Sequence, residues 1–137
     1  KKLTVQNNLN ENTKVMADEA ALKLILTNFL SNAIKHSPKK TLISLSESSS
    51  SKGFIRLSVS DEGKGVPKKY KERVFERFYR IDKGRSSEAG GTGLGLSISK
   101  NLALMMGYSV GVEANEPKGA TFFIDIKVDE EKSIQAA

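Results

Sequence analysis

Two glycine clusters and a strip of amides hold the residues whose types and spacing could do chemistry. Asp61-Glu62-Gly63-Lys64-Gly65-Val66-Pro67 sets a carboxylate just before two glycines, and Gly91-Thr92-Gly93-Leu94-Gly95-Leu96 runs into a segment of helical spacing. Glycine lets a backbone take positive φ or come close to a ligand. Asp61 ends an apolar run, where a carboxylate can accept a hydrogen bond from an exocyclic amine, a bond of about 1.5–3 kcal/mol. Turn chemistry alone also places Asp before a glycine turn. The second cluster offers free N–H groups at a helix N-terminus, where the helix dipole favours phosphate. The Walker pattern is absent, and Lys68 and Ile98 stand where GxGxxG needs its last glycine, so P-loop and Rossmann folds are disfavoured.

Asn28, Asn32 and Lys35 fall in one narrow sector of a predicted helix, beside its apolar stripe. Asn is a poor helix former. The strip reads either as a solvated helix edge or as carbonyl ligands for a hard cation with a positive charge for phosphate; Mg²⁺ favours oxygen donors shared with substrate phosphates. His36, the single histidine, follows Lys35 and suits either a capping role at the helix end or a nucleotide contact. Phe75, Phe78 and Tyr79 form an aromatic cluster, with Arg77 and Arg80 beside it as solvated or phosphate-facing cations.

The elements that must position these residues follow from periodicity. Residues 3–9 form a weakly alternating strand. Asp18 is the expected N-cap of a helix to about Lys35, with Leu22, Ile25, Leu26, Phe29, Leu30, Ala33 and Ile34 as its apolar face and Pro38 beyond its end. Leu42–Leu45 and Phe54–Ser60 read as strands around a serine-rich hairpin tip at 47–53. Residues 68–79 read as a helix, 81–92 as a flexible glycine-rich loop, and Leu96–Met106 as a helix whose Met pair fills core. Strands at Tyr108–Ala114 and Ala120–Val128 follow, joined by the turn Glu116–Gly119. The order predicts an α+β two-layer sandwich, a mixed and mostly antiparallel sheet on about three helices.

The chain has 137 residues, one domain's worth, with a frayed tail expected at 129–137. It lacks an initiator Met and a visible signal peptide, which suggests a piece of a longer protein. No apolar run is long enough to cross a membrane. The absence of cysteine excludes disulfides and thiolate metal sites. The net charge of +6 is dispersed and has no aromatic interleaving, against nucleic-acid binding.

Taken in order, these segments resemble the catalytic, ATP-binding domain of bacterial sensor histidine kinases, part of a superfamily shared with DNA gyrase, the large heat-shock chaperone and mismatch-repair ATPases. Asn28-Phe-Leu-Ser-Asn32-Ala-Ile-Lys35-His36-Ser37 is similar to the N box, Asp61–Pro67 to the first glycine box, Phe75–Arg80 to the F box and Gly91–Leu96 to the second glycine box. The resemblance implies a Bergerat-type fold over residues 1–128 and ATP with Mg²⁺ as cofactors. Asp61 would bind the adenine amine in a pocket shaped by Gly63, Gly65 and Val66. Asn32 and Asn28 would hold Mg²⁺, with Lys35 and His36 beside the nucleotide. Residues 81–92 would form a lid, Gly91, Thr92, Gly93, Leu94 and Gly95 would meet the phosphates, Arg80 would approach the γ-phosphate, and Thr121 would stand behind the adenine.

The same resemblance implies transfer of the γ-phosphoryl group to a histidine on a dimerisation domain absent from this chain, with a response regulator downstream. It also implies a cytoplasmic location within a membrane-anchored sensor, with neither membrane nor nucleic acid touching this domain. In hydrolysing relatives a water-activating Glu stands four residues before the main N-box Asn; here Asn28 occupies that place and cannot act as a general base. Two alternatives are a superfamily ATPase and a non-catalytic interaction domain that keeps the fold. Departures from the family pattern are His36 in place of an aromatic residue, and Met106-Gly107-Tyr108 where two glycines are usual.

Overall fold

The computed structural model describes residues 3–10, 12–79 and 95–129. Five strands form one sheet. They are β1 (Thr4–Asn7), β2 (Leu42–Ser49), β3 (Phe54–Ser60), β4 (Ser109–Ala114) and β5 (Ala120–Lys127), in the spatial order β1-β2-β3-β5-β4. Only the β1–β2 pair is parallel. Helices α1 (Glu19–His36) and α2 (Gly95–Met105) complete the elements that carry the site.

Helix α1 starts where its sequence says it should. Asp18 is extended, and its carboxylate accepts from the Ala21 N–H at 3.1 Å, satisfying one of the four orphan donors of the first turn. At the other end the Ser37 hydroxyl, 1% exposed, donates to the Ala33 carbonyl at 2.6 Å, and Pro38 forbids continuation. The helix buries Ile25, Phe29 and Ala33. Strand β5 alternates, with Ala120, Phe122, Ile124 and Ile126 buried. Phe122 joins the layers, its ring 5.7 Å from Phe29 and 6.0 Å edge-on from Phe75. Each such side chain contributes roughly 1.5–3 kcal/mol by leaving water.

The sheet's other face is polar. Arg56 of β3 forms a two-pronged ion pair with Asp125 at 2.8 and 3.0 Å, reaches Glu113 at 2.9 Å and stacks over Phe123. Chiefly through the hydrogen bond to Asp125, the guanidinium pKa is raised further. One side chain thereby stitches β3, β5 and β4.

The helix expected over 68–79 does not form. Two short 3₁₀ turns, Lys68–Tyr70 and Arg73–Phe75, stand there instead. Glu76 is extended and Phe78 takes φ +63, so the run is broken twice. Only Val74 and Phe75 bury there, and an isolated segment of this length with Lys68, Lys69 and Lys71 crowded at its start cannot offset helix nucleation. Strand β2 runs further than expected, to Ser49, which shortens the hairpin tip. The expected flexible loop at 81–92 and most of the expected tail at 129–137 lie outside the described residues. No helix among the described residues is long and apolar enough to cross a membrane.

Candidate functional site

Asp61 lies where β3 ends, and it is 2% exposed. Its carboxylate Oδ1 accepts from the main-chain N–H groups of Gly63 at 2.9 Å and Ala120 at 3.2 Å. Its own N–H donates to the Ala120 carbonyl at 2.9 Å. These bonds fix the carboxylate, while Oδ2 makes no hydrogen bond among the described residues. A charged oxygen held so and left uncommitted can take a hydrogen bond from a ligand amine without first being reorganised.

The loop after Asp61 is seated on three elements. A side chain at Gly63 would run into the His36 carbonyl at the end of α1, so only glycine permits that approach. The Glu62 carboxylate accepts from the Leu42 N–H at 2.7 Å, tying the loop to the start of β2. Gly65 lies against the Gly119 backbone, and Val66 packs partly buried on the core.

Asn28 and Asn32 are both half-buried on α1, and Lys35 and His36 are exposed near its end. The Asn28 amide nitrogen donates to the Gly95 carbonyl at 3.1 Å and to the Ser99 hydroxyl at 3.2 Å. It joins α1 to the first turn of α2, so the strip of amides and the last glycine of the second cluster meet. Their carbonyl oxygens are neutral, hard donors of the type Mg²⁺ takes, and Asn32 is engaged in no side-chain hydrogen bond among the described residues. The donor set therefore fits a phosphate-bound Mg²⁺. No group of three or more His, Asp or Glu side chains among the described residues offers a competing metal site. Arg80, Gly91, Thr92, Gly93 and Leu94 lie outside the described residues.

Thr121, the residue that the resemblance would put behind the adenine, lies next to Ala120 on β5. It pairs with Ser60, their hydroxyls 2.8 Å apart, and alternation along β5 turns it away from the helix layer. The β5 residue that touches Asp61 is Ala120, through its backbone. Sequence reading also missed Asn115, whose amide donates to the Asp61 carbonyl at 2.7 Å. A separate cavity of about 610 Å³ opens along β4, lined by residues including Phe75, Lys100, Val112 and Phe123, and Asn28, Asn32, Lys35, His36 and Asp61 do not line it.

A sheet covered by two helices, with the end of the amide-bearing helix against a buried carboxylate loop, defines a nucleotide-binding α/β domain. The chain belongs to the family of histidine kinase-, DNA gyrase B- and HSP90-like ATPases, whose model matches residues 17–130. It is 36% identical over 129 residues to the sensor histidine kinase WalK of Bacillus subtilis, covering 93% of this chain and 21% of that protein. It thus spans about a fifth of that relative's length. Among solved structures it is similar to the mycobacterial sensor histidine kinase MprB, with a TM-score of 0.78, 28% identity, and 92% and 82% of the two chains covered. Full-length ShkA in complex with AMPPNP matches with a TM-score of 0.77, 32% identity, and 92% and 26% covered. Histidine kinase ThkA in complex with the response regulator TrrA matches with a TM-score of 0.74, 26% identity, and 95% and 35% covered.

Proposed function

We propose that this chain binds ATP with Mg²⁺ and supplies the γ-phosphoryl group for phosphorylation of a histidine on a separate dimerisation domain of a two-component sensor kinase. The observation that carries this reading is the state of Asp61, a buried carboxylate with one oxygen locked by two N–H groups and the other without a hydrogen bond among the described residues. Such a group selects a base that presents an amine and rejects one that presents a carbonyl. Asn28 and Asn32 hold the cation, Lys35 neutralises phosphate charge, and Arg80 with residues 91–95 completes the phosphate contacts. Mg²⁺ supplies charge stabilisation on the phosphates. The rest is positioning by the chain, since phosphoryl transfer asks for alignment more than covalent chemistry. In the intact protein the domain lies on the cytoplasmic side of a membrane-anchored sensor, with a response regulator receiving the phosphoryl group.

Calorimetric titration of ATP-Mg into the wild-type chain and Asp61→Ala tests the reading. The variant is expected to bind at least about tenfold more weakly, the equivalent of one charge-assisted hydrogen bond. Equal affinity in a folded variant rules out the adenine role.

A further inference from the structure

The turn that joins β4 to β5 addresses Asp61 from behind. Asn115, the first residue after β4, closes that turn through its N–H to the Gly119 carbonyl at 3.0 Å. Its side-chain amide turns the other way and donates to the Asp61 carbonyl at 2.7 Å. Gly119 takes φ +111, and its α-carbon lies so close to the same Asp61 carbonyl that a side chain there would overlap it. The next residue, Ala120, bonds Asp61 twice, accepting from its N–H and donating to its Oδ1. Three features of one turn thus converge on Asp61, two of them on its carbonyl, and the 61–62 peptide leads on toward the Gly63 N–H that grips the carboxylate.

We infer that Asn115 is a positioning residue for base selection: by holding the 61–62 peptide plane, its amide sets the direction in which the open oxygen of Asp61 faces the base. This rests on the adenine reading of Asp61. The chain of cause is short. The Asp61 carbonyl fixes the orientation of the 61–62 peptide, that peptide leads into the turn that presents the Gly63 N–H, and that N–H, with the Ala120 N–H, holds Oδ1 and leaves Oδ2 for the ligand. Without the Asn115 donor, a part-buried carbonyl loses its partner and the peptide is free to rotate toward another. The carboxylate then samples several directions, and its preference for an amine over a carbonyl declines. A residue that touches no part of the nucleotide would thereby govern which nucleotide binds.

Asn115→Asp is the discriminating variant, because it keeps shape and volume while replacing the donor by an acceptor that faces a carbonyl. Asn115→Ala removes the group altogether. Both are titrated with ATP-Mg and GTP-Mg beside wild type and Asp61→Ala, with thermal melts to register the fold. The expected result is a fall of about tenfold in the ATP-to-GTP affinity ratio for each Asn115 variant. A turn that served only stability would lower both affinities together, or the melting temperature alone, and leave the ratio intact. An intact ratio in either folded variant, with Asp61→Ala still reducing it, overturns the inference and spares the adenine reading. An intact ratio in Asp61→Ala overturns both.

Discussion

Two amides one turn apart on α1 have different circumstances, and the difference decides which one tests the metal. Asn28 spends its nitrogen on Gly95 and Ser99, so removing it also loosens the joint between α1 and α2. Asn32 is half-buried and joins nothing among the described residues. Asn32→Ala is therefore expected to leave stability within about 0.5 kcal/mol while lowering Mg²⁺-dependent phosphoryl transfer more than ATP affinity. Thermal melts, ATP titration and transfer rates on the same protein check this; wild-type transfer removes Asn32 from the cation site. The spacing of this pair, and an Asp before two glycines, were legible in the sequence because they are particular residue types at particular local intervals. Asn115 was not. As a residue it reads as ordinary turn chemistry, and its partner Asp61 lies 54 positions away, so only the folded register exposes the bond.

Elements became legible in proportion to how much apolar surface they bury. Helix α1 announces itself because Ile25, Phe29 and Ala33 repeat at helical spacing over about two turns, and its N-cap is the expected Asp18. Strand β5 does so by strict alternation. Residues 68–79 carry aromatic residues but no sustained stripe, and the backbone resolves that ambiguity with two 3₁₀ turns, a choice set by tertiary packing of Val74 and Phe75. The mixed sheet was legible only as a class, since the parallel β1–β2 pair leaves no local mark. The β4–β5 turn offers the test at this scale. Gly119→Ala forces a Cβ into the Asp61 carbonyl at a φ that L-residues avoid. It is expected to cost about 3 kcal/mol or more and to be read as a lowered denaturant midpoint. A midpoint equal to wild type shows that the turn gives way, and with it the rigid seating of the loop.

At the scale of the whole molecule, the question is where the phosphoryl group goes. Hydrolysis needs a base to activate water, and the α1 position one turn before Asn32 holds an amide whose nitrogen is already bonded to α2. An amide takes no proton at neutral pH, so this position supplies no base to activate water for attack on ATP. Under the proposed function, transfer depends on a nucleophile brought by another domain, whose approach replaces a bimolecular encounter by a tethered one. The chain spans only about a fifth of the WalK relative, which leaves ample length elsewhere in such a protein for that domain. The isolated chain is therefore expected to bind ATP yet release no phosphate above the uncatalysed rate. Adding an acceptor helical domain in trans is expected to give phosphoprotein that is stable to base and labile to acid, the signature of phosphohistidine. Both readouts come from one radiolabelled ATP experiment. Steady phosphate release from the chain alone would make it an ATPase, with water activated by a group other than Asn28. Tight ATP binding with neither release nor transfer would make it a binding module that has kept the fold and lost the reaction.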